Sequence, residues 1–174
     1  QLTDEQQNAV EDIEKALCKG REAQFLLHGI TGSGKTEVYL RSATRAIKLG
    51  RKVLVLVPEI ALTRHLIDTF TKRIDRFAVL HSDLPLKERY LTWQKIKDGE
   101  IDLVLGTRSA VFAPFGNLGL IIIDEEQEIT YKQEQTPKYH ASAVALKRAE
   151  LESAVVIFGS ATPSLETYHK ALAG

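Results

Sequence analysis

One eight-residue stretch limits the folds open to this chain more than any other: Gly29-Ile30-Thr31-Gly32-Ser33-Gly34-Lys35-Thr36. The apolar run Phe25-Leu26-Leu27 precedes it, and helical patterning from Glu37 to Leu49 follows. A glycine, four residues, then Gly-Lys-Thr between a strand and a helix is the spacing of a phosphate-cradling P-loop. Each residue type has a reason. Glycines let the backbone turn tightly and bring its N–H groups against phosphate oxygens, where a side chain would collide. The helix that begins there adds unpaired N–H groups and the positive end of its dipole. Lys35 can reach the outer phosphates as a point charge, and the Thr36 hydroxyl can ligate magnesium. A Gly/Ser turn could spell the same letters, but the flanking strand and helix favour a nucleoside triphosphate site.

The rest of the chain fits that frame. Its 174 residues suffice for one domain with a proper core, and 44% hydrophobic with 26% charged residues is ordinary globular composition. Net charge is zero, so affinity for nucleic acid must rest on a local surface. The single cysteine, Cys18, excludes an internal disulfide or a cysteine-based zinc cluster, and its helical setting makes it a packing residue. No apolar run approaches the roughly 20 residues that cross a bilayer, and no signal peptide opens the chain. A cytoplasmic enzyme with no membrane partner is the expectation. Because the chain starts at Gln1 and holds no methionine, it is expected to be a segment of a longer protein.

From Phe25 onward, short apolar runs recur at Phe25–Leu27, Val53–Val57, Val79–Leu80, Leu103–Leu105, Leu120–Ile123 and Val155–Phe158. They are rich in β-branched residues and apolar on both faces, with helical periodicity between most of them. That alternation predicts an α/β domain over 1–174, a mostly parallel central sheet with helices on both faces. Ligands on such sheets sit at the carboxyl ends of strands, so the residues just after each run are the functional candidates.

The second decisive motif stands there. Leu120–Ile123 runs into Asp124-Glu125-Glu126-Gln127-Glu128, where Asp124 would hold magnesium and Glu125 would act as base toward an attacking water. An acidic helix N-terminus is the plainer alternative. At the start of the chain, Thr3 or Asp4 can cap a first helix, and Gln6 offers a donor and an acceptor suited to an adenine edge. It can equally be a solvated helix-start residue. Thr63, the Thr107-Arg108-Ser109 turn and His81 follow other strands; these make a plausible track for a nucleic-acid backbone, or simply helix caps and turns. His81 reads better as a turn residue than as a base. In the polar stretch from Tyr131 to His140, Tyr131 and Lys132 can stack bases and meet phosphates, or belong to a surface loop. Gly159-Ser160-Ala161-Thr162-Pro163-Ser164 could sense the nucleotide or cap a final helix.

With these motifs in order, the chain resembles the first RecA-like lobe of a superfamily 2 helicase: glutamine motif, Gly-Ser-Gly-Lys-Thr, Asp-Glu-Glu box, then Gly-Ser-Ala-Thr. Longer matches at Gly32–Tyr39, Val57–Thr63, Gly106–Ala110 and Tyr131–Gln133 resemble the primosomal replication-restart helicases. The resemblance covers essentially the whole chain. It implies ATP and Mg2+ as cofactors and 3′-to-5′ unwinding at stalled or branched forks. The implied partners are single-stranded and forked DNA, primosome proteins, single-stranded-DNA-binding protein and a second RecA-like lobe of the same parent chain. Carried over by residue, Gln6 would contact adenine, the Gly29–Thr36 loop the phosphates, and Thr36 and Asp124 the metal. Thr63, Thr107, Arg108, Ser109, Tyr131 and Lys132 would face DNA. Gln127, Ser160 and Thr162 would couple hydrolysis to movement. Two departures stand out: Gln127 replaces the usual histidine of the box, removing any titrating role there, and His140-Ala141-Ser142-Ala143 replaces an arginine and an acidic residue. A duplex-DNA translocase lobe and a nucleotide-switched binding module without turnover are the competing readings.

Overall fold

The computed structural model describes residues 2–30 and 32–163. Thr31 of the loop and Ser164 therefore lie outside the described residues. Helix α1 (Asp4–Lys19) starts from a reciprocal cap: Thr3 Oγ1 accepts from Gln6 N, and Gln6 Oε1 accepts from Thr3 N. Strand β1 (Ala23–His28) leads through the loop into α2 (Lys35–Lys48). There follow β2 (Lys52–Leu56), α3 (Arg64–Thr71), β3 (Phe77–Leu80), α4 (Leu86–Lys97), β4 (Leu103–Gly106) and β5 (Leu118–Ile123). A two-residue ribbon of β6 (Lys132–Gln133) and β7 (Tyr139–His140) precedes α5 (Ala141–Glu152) and β8 (Val155–Ser160).

Six strands form one sheet in the order β1-β8-β5-β2-β4-β3, every neighbouring pair parallel. The expected RecA-like α/β arrangement is observed. Successive residues along the central strands enter opposite cores, apart from the register shift at Leu118. Val53 and Val55 join one cluster while Leu54 and Leu56 join the other; Leu120 and Ile122 separate from Ile121 and Ile123 in the same way. The first cluster takes its helical residues from α1, α2 and α3, such as Ile13, Val38 and Phe70. The second takes Ile96 of α4 and Ala141, Ala145 and Ala149 of α5. Burial on both faces is why these runs lack a polar stripe.

One local expectation is corrected, and one alternative is removed. Cys18 is exposed, because it stands about 100° around α1 from buried Leu17; Arg45 Nη2 donates to its sulfur at 3.2 Å. No helix begins at Asp124: the acidic stretch is a turn, followed by one short 3-10 turn at Ile129–Tyr131. Between β4 and β5 the connection contains a 3-10 turn, Arg108–Phe112. Among the described residues, no helix is long and apolar enough to cross a membrane.

Candidate nucleotide site at the strand ends

Because all six strands run the same way, their carboxyl ends share one edge of the molecule. At β1 the chain turns into the loop, with Gly29 N donating to Ser160 O of β8 at 3.0 Å. Ser33 N donates to Ile30 O at 3.0 Å, and Gly34 takes φ 84°, a left-handed conformation that suits glycine. A Cβ on Gly34 would also lie 2.5 Å from Gln6 Nε2. That amide nitrogen donates to Ser33 O at 2.7 Å, so Gln6 ties the start of α1 to the loop. Each of its amide atoms keeps a further hydrogen or lone pair with which an adenine edge could be met.

Lys35, 9% exposed, bends back to donate to Gly29 O at 2.7 Å and stands 3.7 Å from Glu125 Oε1. Its ammonium group thus lies between the start of the loop and the acidic turn. Asp124 continues β5 by donating its N–H to Leu56 O at 2.9 Å, which aims its side chain at the same edge. Tyr39, one turn past Lys35 on α2, donates its hydroxyl to Asp124 Oδ1 at 2.8 Å. Burial raises the Asp124 carboxyl above its ordinary range, opposed by the Tyr39 hydrogen bond and nearby Lys35. Burial first, then the Asp124 charge, pushes the Tyr39 phenol well above its usual value.

Glu125 adopts φ 48°, a conformation uncommon for a residue with a side chain. The turn it makes lets Glu126 N donate to Gly159 O at 3.0 Å. Gln127 then links two motifs: its Nε2 donates to Glu125 Oε2 at 2.9 Å, and its Oε1 accepts from the Ser160 hydroxyl. Ser160 Oγ accepts in turn from Thr162 N at 3.1 Å. Glu125, Gln127, Ser160 and Thr162 therefore form one hydrogen-bonded line beside the loop. A neutral amide suits this place because it can donate on one side and accept on the other.

The donor set fits magnesium held jointly with nucleotide phosphates. A carboxylate on Asp124 and a hydroxyl on Thr36 are the few hard oxygen ligands that such a site needs. Among the described residues there is no group of three or more His, Cys, Asp or Glu able to hold a metal by itself.

The residues read as DNA-facing behave differently from one another. Thr63 is exposed but caps α3, accepting from Leu66 N at 3.2 Å. Ser109 and Lys132 are exposed, the latter paired with Glu134 at 3.1 Å. Thr107 is buried, 2% exposed, so its side chain does not face an incoming strand. Arg108 is half-buried and donates from Nη1 to Thr130 O at 3.0 Å and Lys132 O at 2.8 Å. Tyr131 requires the clearest correction: it is 0% exposed, so no base can stack on it, and its hydroxyl donates to Leu56 O and Asp124 O. Tyr39 was missed as a site residue, and Gly159 was named only as part of its turn. A tyrosine four positions after the P-loop lysine, on an otherwise apolar helix face, was its signal.

The model of the DEAD/DEAH box helicase family matches residues 3–171. The chain belongs to that family. It is 53% identical over 174 residues to the replication restart protein PriA of Bacillus subtilis, a match that covers 99% of this chain and 22% of the relative. It is 55% identical over 148 residues to PriA of Synechocystis sp., covering 84% of this chain and 18% of that protein. The chain thus spans about a fifth of the length of these curated relatives. Among solved structures, it superposes on RecG bound to a three-way DNA junction with a TM-score of 0.72 at 26% identity, over 98% of this chain and 22% of that one.

Proposed function

We propose that this chain is the ATP-binding lobe of a DNA-dependent ATPase and helicase that unwinds 3′ to 5′ at stalled or branched forks, in replication restart and primosome assembly. The observation that carries the chemistry is the meeting of Lys35, Asp124 and Glu125 at the carboxyl edge of a parallel sheet, with Lys35 3.7 Å from Glu125. The biological half is supported by the 53% identity to a replication restart protein along nearly the whole chain.

In this reading Gln6 meets the adenine edge, and the N–H groups of Gly29–Thr36 receive the phosphates. Lys35 exchanges Gly29 O for phosphate oxygen. Thr36 and Asp124 would hold magnesium, which when bound neutralises charge developing on the transferred phosphoryl group. Glu125 orients the attacking water and accepts its proton. A shift of Glu125 moves Gln127, Ser160 and Thr162 through their hydrogen bonds. Thr63, Ser109 and Lys132 offer the exposed contacts to single-stranded or forked DNA, while Arg108 holds the Thr130–Lys132 strand end in place. A second RecA-like lobe of the parent chain would supply the arginine that completes the phosphate site; primosome proteins and single-stranded-DNA-binding protein are the further partners.

Phosphate release by the intact protein, with and without forked DNA, tests this, with Lys35→Ala as the blank. Strong stimulation by the fork that Lys35→Ala removes is expected. Nucleotide binding with no turnover on any DNA would defeat it.

A further inference from the structure

We propose that Tyr39 is a positioning residue for the magnesium-binding carboxylate, holding Asp124 Oδ1 through its hydroxyl in a space that Gly159 leaves open. This rests on the nucleotide site described above and goes beyond the residues of its motifs.

Two independent observations carry it. The Tyr39 ring is buried, 2% exposed, and a phenylalanine would fill the same core, so packing does not call for a hydroxyl. That hydroxyl donates to Asp124 Oδ1 at 2.8 Å. A bond to an ionised oxygen in a dry setting is stronger and more directional than one in water.

The second observation is Gly159. It lies inside β8, where glycine packs poorly, and its φ is not positive, so no turn demands it. A Cβ there would stand 1.6 Å from the Tyr39 hydroxyl oxygen and 3.0 Å from Asp124 Oδ1. Any side chain at 159 evicts the hydroxyl. Strand β8 runs beside β5, with Phe158 opposite Ile123, which brings the glycine alongside Asp124. The helix carrying Lys35 and the strand carrying Asp124 are therefore locked together at one oxygen. A metal-ligating carboxylate held this way loses less rotational freedom on binding, and partners of this kind shift metal affinity by about 10–100-fold.

The test is Tyr39→Phe in the intact protein. Binding of a fluorescent non-hydrolysable ATP analogue is followed in EDTA and across a Mg2+ titration, with Mn2+ electron paramagnetic resonance as a direct metal readout. The thermal midpoint verifies folding. The expected result is unchanged affinity in EDTA, with the Mg2+ or Mn2+ needed for half-maximal tightening raised about tenfold. Gly159→Ala, with Tyr39 intact, should move the metal requirement in the same direction. An unchanged metal requirement in folded Tyr39→Phe overturns the proposal. So does an equal loss of affinity with and without metal, which marks a purely structural hydroxyl. A wild-type protein that binds the analogue under neither condition overturns the nucleotide reading itself, before any variant is compared.

Discussion

Tyr131 places its hydroxyl 3.1 Å from Leu56 O and 2.5 Å from Asp124 O, joining the ends of β2 and β5. Leu56 O also receives Asp124 N, whereas the Asp124 carbonyl relies on the tyrosine more heavily. Tyr131→Phe should therefore leave a buried acceptor poorly satisfied and cost about 1–3 kcal/mol. A lower urea midpoint with an unchanged m-value would show it; a stability within error of wild type would show that the tie is dispensable. The sequence hid this residue for a physical reason. Tyr131 sits among lysine, glutamine and glutamate, and polar neighbours ordinarily signal a surface. Only the fold, by bringing Arg108 to Thr130 O and Lys132 O, turns the tyrosine inward between two polar residues.

At the scale of elements, α2 is tied to the turn that follows α3 by charge, through Arg73. Glu37 accepts from Arg73 at 3.0 Å and from Arg41, one turn on, at 2.9 Å. The Arg73 hydrogen bond, with Arg41 adding to it, holds the Glu37 carboxyl below its ordinary 4.5 despite partial burial. A carboxyl whose folded value is depressed contributes stability above its unfolded value, and that stability is lost as pH falls through the folded one. Glu37→Gln should thus lower stability near neutral pH and flatten the decline below pH 4.5. The effect should stay under about 1 kcal/mol, because the pair is partly solvated. Thermal melts of both proteins from neutral to acidic pH measure it, and parallel curves would refute it. The β6–β7 ribbon, by contrast, could not be read in advance. Two residues per strand carry no periodicity, and the ribbon's edge contact between Phe112 and Tyr139, centroids 4.9 Å apart, joins distant segments.

For the whole molecule, the strand order decides where chemistry can occur. It places β1, the first strand, beside β8, the last described one, and β8 beside β5. The loop, the Gly159-Ser160 stretch and the acidic turn thereby become neighbours, although 130 positions separate Gly29 from Gly159. An arginine finger, which the second lobe of the proposed reading would supply, is worth about 10³–10⁵ in rate for phosphoryl transfer. The 174-residue chain alone should therefore bind nucleotide weakly and hydrolyse it barely, with or without DNA. DNA-stimulated phosphate release by this chain at the rate of the intact protein would contradict that.

By itself, the sequence determined the alternation of strands and helices, the P-loop and the acidic motif. These depend on local chemistry: β-branched runs, glycine's conformational range and the fixed spacing of Gly-Lys-Thr. It also carried the fold class, since runs apolar on both faces require helices above and below. What only the tertiary structure decided is which side chains are spent on the protein itself. Thr107 and Tyr131 turn inward, Arg108 holds backbone carbonyls, and Gln127 bridges Glu125 to Ser160. Those outcomes depend on which strand ends become neighbours, a long-range property that no window of adjacent residues encodes. The pairing of Tyr39 with Asp124 across 85 positions is of the same kind.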